Sequence, residues 1–430
     1  MKVFYQIILF VFVSLLATNP AFAEGDTDGK AYDPARPAFH HISDANVYSI
    51  GPINLRLPYM LYAPDQGWSV GMSNSFNIVN SHGDGSKAID GYVLVEGRIK
   101  RIAPGQGFPT DQVVDLEVIG GHGHHDHSHG DDHAHDNHAA DAEVDEHEVH
   151  YFHHDENAEG IPYAYFDYKG KKVKVENSST ADAGVFGGGI TSFYDFSITK
   201  NVMSMLLVCF FMCWFFIGMA RKYKRTEGQA PSGFQSLFET IIVFIQEEVA
   251  KPFLGKDWAR LLPFLLTLFF FILGLNLWGQ IPFFGGANVT GNLAVTMVLA
   301  IVAFIVTTIN GNKTYWEHTL WMPGVPALLK VLILTPVEIL GLFIKPITLA
   351  LRLFANITAG HMVMVIFVAL IFLFGEAGNN LGAGYATAVG SILLTLFMMA
   401  IELLVAFIQA FVFTILTASY LGAATEEAHH

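Results

Sequence analysis

One apolar stretch, residues 328–374, most constrains what this chain can fold into. As an α-helix it would be about 70 Å long, against a membrane hydrocarbon core of about 30 Å. It must therefore tilt steeply, kink at Pro336 or Pro346, or fold back as a hairpin. Since no hydrophilic turn interrupts residues 345–374, the sequence favours one long tilted helix.

Charged side chains inside this stretch point to a functional site. Arg352 keeps its charge in any protein environment, and a charge at mid-bilayer costs about 3 kcal/mol or more. Glu338, Lys345 and Arg352 are seven residues apart and form one stripe, which Asn356 joins. His361, nine residues beyond Arg352, lies on the opposite side of the helix. We expect Arg352 to face a partner or a water-filled path, although Glu338 and Lys345 could instead form a structural pair.

The last apolar stretch, residues 385–422, is also too long for an upright span. Thr395, Glu402 and Gln409 repeat every seven residues and give it one polar stripe. Two long helices packed antiparallel, each with one stripe, predict an ion path along their interface. The alternative is that Glu402 is protonated and hydrogen-bonded within a helix bundle.

Residues 345–363, KPITLALRLFANITAGHMV, resemble the signature of subunit a of F-type ATP synthases, the membrane stator that passes ions to a rotor ring. The resemblance extends from about Asn201 to the C terminus and includes the run LVAFIQAFVFTILTASYLGAATEE. It implies that Arg352 is the essential cation beside the ring. Asn356 and Gly360 also match the family pattern.

The resemblance assigns roles to the other polar residues. In that family, two aqueous half-channels lead to the rotor carboxylate and must not meet. His361 with Glu402 would line the exported-side channel, and Glu338 the cytoplasmic one. Bacterial members often carry Glu and His at the positions of His361 and Glu402, so the pair looks exchanged. The remaining candidates for the ion path or its lining are Gln409, Asn356, Asn276, Asn288, Asn292 and Lys345.

The resemblance also implies partners. These are a rotor ring of c subunits, peripheral-stalk b subunits and the other synthase subunits, in a lipid bilayer. The sequence contains no nucleotide-binding motif. We therefore expect a non-catalytic subunit with no cofactor and no nucleic-acid partner. The coupling ion, H⁺ or Na⁺, stays open because the ring subunit supplies most of its binding site.

The expected fold is a mainly α membrane protein with five spans in residues 198–430. Three shorter spans precede the two long ones, at residues 198–220, 258–284 and 288–310. Basic residues at 221–225 place the end of the first span in the cytoplasm. Residues 234–254 mix apolar and charged side chains and predict an amphipathic interfacial helix, whereas residues 311–326 predict a cytoplasmic loop. Intramembrane asparagines such as Asn288 could simply hydrogen-bond neighbouring helices.

The N-terminal half is expected to be exported. Residues 1–23 are typical of a signal peptide with an A-x-A cleavage site, the alternative being an uncleaved anchor helix. Residues 24–197 would then be an acidic exported region, with a periplasmic mature N terminus and a cytoplasmic C terminus in the cell inner membrane. Residues 92–102 and 163–177 predict short strands, the second forming a hairpin that turns at Lys169–Gly170.

A histidine-rich segment, residues 121–156, interrupts the exported region. Imidazoles mixed with carboxylates bind Zn, Cu or Ni without a fixed geometry. The candidate ligands are His122, His124, His125, His127, His129, His133 and His135. The alternative is a flexible, solvated linker with no dedicated role, because so polar a segment has little apolar surface to bury.

A secondary zinc transporter is the rival function, since a histidine-rich loop often accompanies a zinc pathway. Such a protein needs clustered His and Asp ligands in facing membrane helices. Here His361 is the only histidine deep in an expected span, and the permanent charge of Arg352 would repel Zn²⁺. A metal-binding module merely anchored to the membrane would not require five spans with embedded charges.

Overall fold

The computed structural model describes residues 44–50, 53–79, 83–116, 152–156, 162–179, 190–231, 233–281, 287–320, 327–375 and 381–425. The expected signal peptide and the seven candidate metal-binding histidines lie outside this part of the chain. The described residues form a β-rich unit, mainly between residues 45 and 199, and a helical unit from Lys200 onward.

Twelve short strands are described in the β-rich unit. They are β1 (Val47–Ile50), β2 (Ile53–Arg56), β3 (Pro58–Ala63), β4 (Gly67–Met72), β5 (Lys87–Ala88), β6 (Tyr92–Val95), β7 (Arg98–Ile102), β8 (Val114–Asp115), β9 (His153–Glu156), β10 (Pro162–Tyr168), β11 (Lys171–Glu176) and β12 (Tyr194–Asp195). A five-stranded antiparallel sheet has the order β6-β7-β11-β10-β9, and a three-stranded one has the order β12-β3-β4. Two-stranded pairs, β1-β2 and β5-β8, complete the unit.

Two tight turns explain two hairpins, of which the sequence predicted the one at Lys169–Gly170. Lys169 (φ 49°) and Gly170 (φ 74°) connect β10 to β11, and Glu96 (φ 50°) and Gly97 (φ 73°) connect β6 to β7. Two successive residues with positive φ match the twist of a two-residue hairpin loop. The predicted strands at residues 92–102 and 163–177 are therefore confirmed, and each forms a hairpin.

The end of the histidine-rich segment belongs to the sheet. Its last four residues form β9, which pairs with β10 at the sheet edge. Phe152, directly before β9, packs in the core with Phe166 and Val173. The expected linker, residues 121–156, therefore includes residues that are not linker: Phe152 packs in the core and residues 153–156 form β9 of the sheet.

The helical unit contains nine α-helical segments among its described residues. They are α1 (Lys200–Arg225), α2 (Phe234–Ile245), α3 (Lys251–Leu254), α4 (Trp258–Gln280), α5 (Leu293–Ile309), α6 (Lys313–Leu320), α7 (Ala327–Leu329), α8 (Thr335–Phe374) and α9 (Leu381–Thr425). π-Helical turns at Gln246–Ala250 and Lys330–Leu334 join α2 to α3 and α7 to α8. Helix α4 lies in the core, where Leu265 and Phe269 are buried with Leu353 of α8 and Ala410 of α9.

The two longest helices agree with the sequence. Helix α8 has 40 residues and α9 has 45, or about 60 and 68 Å. Pro336 lies in the first turn of α8, directly after the π-helical turn, and Pro346 lies within the helix. The stretch that could have folded back as a hairpin is therefore one continuous helix from Thr335.

By length and composition, four described helical runs could cross a membrane, which agrees with a multi-pass membrane protein. They are Lys200–Arg225, Phe234–Gln280, Leu332–Ile371 and Gly382–Thr425. The expected span at residues 288–310 is shorter, since α5 has 17 residues and begins only at Leu293. The expected interfacial helix, residues 234–254, is part of the second run, and α6 lies within the expected loop at residues 311–326.

Candidate functional site

Helices α8 and α9 pack against each other in antiparallel fashion. Near one end, the Ser391 hydroxyl donates a hydrogen bond to the Phe367 carbonyl. Near the other end, the Lys345 ammonium lies 5.6 Å from the centre of the Tyr420 ring. Residue numbers therefore rise along one helix as they fall along the other, as the sequence predicted.

His361 and Glu402 meet between these two contacts. His361 Nδ1 lies 3.9 Å from Glu402 Oε1, and the two residues are only 7% and 3% exposed. Gly360 lies next to the pair, since a Cβ atom there would be in ordinary contact, 3.5 Å, with Cδ and Oε1 of Glu402. The structure thus brings together the two residues that the sequence suggested as an exchanged couple.

Arg352 and Asn356 lie on the opposite side of α8 from His361, and both are exposed. Among the described residues, Arg352 has no hydrogen-bond or ion-pair partner. The surface around it is apolar on both helices, with exposed side chains at Val337, Leu340, Ile344, Ile347, Leu351, Val389, Leu393, Phe397, Leu404 and Ile408. We call this surface the Arg352 face. It presents one permanent cation amid apolar side chains.

Glu338 and Lys345 do not form the structural pair that the sequence left open. No ion pair joins them in the described part of the chain; instead, Lys345 lies over Tyr420. Lys345 and Tyr420 line a small cleft together with Thr307 and Tyr315, and its other lining residues are apolar. Glu338 is half-buried. An open, mainly apolar cleft with Lys345 in its wall therefore lies two helical turns from Arg352 on the same helix.

The stripe on α9 faces inward. Thr395, Glu402 and Gln409 are all buried, so the helix turns this side towards the bundle. The stripe on α8, which carries Arg352, faces outward. The prediction that the two stripes line a common interface is therefore wrong, because Glu402 of the α9 stripe lies against His361, on the side of α8 opposite Arg352.

Two side chains of α4 hold α9 at the level of Glu402. Gln280 Nε2 donates a hydrogen bond to the Glu402 carbonyl at 2.8 Å, and Asn276 Nδ2 donates to the Ala406 carbonyl at 3.2 Å. Asn276 Oδ1 also accepts from the Thr290 hydroxyl at 2.8 Å. Sequence reasoning missed Gln280, although it lies one helical turn after the candidate residue Asn276. Asn276 is thus engaged in helix packing.

Asn288 and Asn292 make local hydrogen bonds ahead of α5. Asn288 Oδ1 accepts from the Gly291 N–H, and Asn292 Oδ1 caps the helix by accepting from the Ala294 N–H, both at 2.9 Å. An asparagine before the first helical residue commonly satisfies a free backbone donor in this way. These contacts are structural but local, and they do not reach the neighbouring helices that the alternative named.

No group of three or more His, Cys, Asp or Glu side chains able to hold a metal occurs among the residues that the structure describes. The clustered membrane ligands that a zinc pathway requires are therefore absent from the described helices.

Comparison with known sequences agrees with this geometry. A model of the ATP synthase A chain family matches residues 202–422, and a domain of unknown function matches residues 38–117. ATP synthase subunit a of Chloroherpeton thalassium is 39% identical over 240 residues, covering 55% of this chain and 69% of that protein. Subunit a 2 of Chlorobaculum tepidum is 38% identical, covering 54% and 64%, and subunit a of Myxococcus xanthus is 39% identical, covering 55% and 75%.

The matched residues include the whole of α8, nearly all of α9 and every candidate ion-path residue on them. Subunit a is a non-catalytic membrane subunit of the ATP synthase. The chain belongs to the ATP synthase A chain family.

Proposed function

We propose that this chain is the stator subunit of the membrane sector of a proton-translocating F-type ATP synthase. The observation that carries the proposal is the exposed guanidinium of Arg352, which has no hydrogen-bond or ion-pair partner among the described residues and lies beside exposed apolar side chains of α8. Nine residues further along α8, about 14 Å along its axis, His361 and Glu402 form a buried titratable couple on the other side.

Arg352 has the properties that ion exchange with a rotor needs. A rotor carboxylate that crosses lipid must be neutral, because an ionised one carries a large desolvation cost. Beside Arg352 it could ionise and exchange its proton. The same fixed cation would repel a proton moving directly between the two access paths. Proton flow would then be coupled to ring rotation, driven by about 2.3 kcal/mol per charge per 100 mV.

Two separate access paths complete the proposal. His361, Glu402 and Gln409 would line the path from the exported side, since all three are buried between helices. Glu338 and the cleft at Lys345 would form the cytoplasmic path. His361 and Lys345 are displaced from each other along α8. This separation supports two access paths that are connected only through the rotor.

The partners follow from this role. The rotor ring of c subunits would dock on the Arg352 face, whose apolar side chains suit a lipid-embedded partner. Peripheral-stalk b subunits and the remaining synthase subunits would complete the complex. The cationic end of α1, at Lys222, Lys224 and Arg225, supports a periplasmic N terminus and a cytoplasmic C terminus in the inner membrane.

Replacing Arg352 tests the proposal. Arg352→Ala should leave the complex assembled but abolish ATP-driven proton pumping in inverted membrane vesicles, because the rotor carboxylate loses its counter-charge. Leu206→Ala is the control, since Leu206 is exposed on α1, outside the Arg352 face, and it should pump normally. Well-coupled pumping by an assembled Arg352→Ala complex would contradict the stator assignment.

A further inference from the structure

The three-stranded sheet of the β-rich unit is apolar on both sides. Its inner side packs in the core through Tyr59, Leu61 and Phe193. Strand alternation turns the other side outward, where Trp68 and Val70 are 58% and 67% exposed. We call this side the outer sheet face; it consists of Met60, Tyr62, Trp68, Val70, Met72, Tyr194 and Phe196.

The outer sheet face is continuous and uncharged. The Trp68 ring lies 5.1 Å from the Tyr62 ring and 5.6 Å from the Phe196 ring, and Met60 pairs with Val70 across the strands. An antiparallel sheet with one side in water normally alternates apolar inward and polar outward residues. Large exposed apolar patches mark interaction sites. Some apolar environment must therefore cover this face.

The hydrogen-bonded ladder of this sheet continues almost to the first membrane helix. The Phe196 N–H donates to the Met60 carbonyl at 2.8 Å, and the Ile198 N–H donates to the Pro58 carbonyl at 3.2 Å. Helix α1 begins at Lys200. The two residues that lead from Ile198 to Lys200 span at most about 7 Å, so the last residue of the ladder lies within that distance of the start of α1.

The length of α1 indicates where the bilayer begins. Its cationic end starts at Arg221, which belongs in the aqueous interface. A hydrocarbon core of about 30 Å takes about 20 helical residues. Counted back from Ala220, the core would begin near Asn201. The ladder residue Ile198 thus falls in the headgroup region, directly outside the hydrocarbon.

We infer that the outer sheet face lies on the surface of the lipid bilayer from which α1 starts. Tryptophan and tyrosine are enriched at membrane interfaces, where an apolar ring and a polar edge are both satisfied. The face carries no charge, and the chain has a net charge of −15, so attraction to acidic headgroups is not the driving force. The driving force is the burial of apolar side chains at the headgroup boundary. The inference does not depend on the proposed ion path.

Site-directed spin labelling tests it in the full-length chain. Val70→Cys and Val113→Cys are introduced separately after Cys209→Ser and Cys213→Ser, which remove the only native thiols. Val113 is the matched control, a valine 59% exposed in the same unit but outside the outer sheet face. The protein is purified in its native assembly and placed in phosphatidylcholine nanodiscs. Power saturation then compares collision of each label with oxygen, which concentrates in lipid, and with a nickel chelate, which stays in water.

The label at position 70 should collide more with oxygen than with the chelate, and the label at position 113 should show the reverse. A water-like result at position 70 would overturn the inference. So would exclusion of both reagents from position 70, since that would mean that another protein chain covers the face. A lipid-like result at both positions would also contradict it, because the effect would not be specific to this face.

Discussion

His361 of α8 and Glu402 of α9 lie within 3.9 Å of each other, although 41 positions separate them in the sequence. Both are more than nine-tenths buried. A lone buried charge is costly, so we expect either that both groups are neutral or that they form an ion pair. Both forms hold one proton between the two groups, so a proton can pass between His361 and Glu402 without changing the net charge of the couple.

Exchanging the two residues tests the couple. His361→Glu alone places two carboxyl groups together and Glu402→His alone places two imidazoles together, so each should lower proton pumping about tenfold or more. The double exchange restores one of each and should recover pumping. Pumping is measured in inverted vesicles at matched subunit content. If both single variants pump normally, His361 and Glu402 are not part of the ion path.

Gly360 provides a graded test of the same site. A methyl group there would make ordinary contact with the Glu402 carboxyl at 3.5 Å, so Gly360→Ala should pump nearly as well as the native protein. Gly360→Val adds branches that have to displace the carboxyl, and pumping should fall about tenfold or more. Equal pumping by the two variants, both present in the membrane at native level, would show that the position of Glu402 is unimportant.

The β-rich unit should show a pH-dependent stability. Arg101 Nη2 donates to Asp65 Oδ2 at 2.6 Å, and this hydrogen bond lowers the pKa of Asp65 below its usual value. The stabilisation is therefore full above the ordinary pKa of aspartate and is lost as pH falls through the lowered value. Asp65→Asn should cost about 1 kcal/mol at neutral pH, because solvent screens the exposed carboxylate.

Hydrogen exchange in β6 and β7 measures that difference. The native chain and Asp65→Asn are compared at the same pH, so that the intrinsic exchange rate cancels. Exchange should be faster in the variant at pH 7, and the two proteins should converge at a pH below the lowered pKa. If the difference in exchange rate between the two proteins stays constant across this pH range, the charge of Asp65 contributes nothing to the stability of the β-rich unit.

The histidine-rich segment is predicted to be dispensable for proton transport. Its charges could reach the ion path only through the aqueous field, which physiological salt screens within about 8 Å. The deletion should cover residues 121–150 and spare Phe152 and β9, which belong to the sheet. Pumping in metal-free buffer should be unchanged, while zinc binding by the full-length chain should fall sharply. A pumping defect in a fully assembled complex would place this segment at the channel entrance.

Local features of this protein were readable from the sequence because they depend on neighbours along the chain. Helical periodicity alone separates Arg352 from His361 onto opposite sides of α8, and both lie where it predicted. The hairpin at Lys169–Gly170 follows from a turn pair that accepts positive φ. The length of the apolar run was enough to identify the continuous helix α8.

Only the tertiary structure decided which environment each face meets. The stripe of Glu402 turns inward and that of Arg352 outward, although both stripes have the same period. Gln280 gains its role from a carbonyl 122 residues away, and no local pattern encodes that hydrogen bond. The sequence pattern around an apolar residue such as Trp68 is the same whether its side chain contacts a protein core, lipid or a partner. Burial is a property of the packed chain, and the sequence by itself determines only which residues are able to share a face.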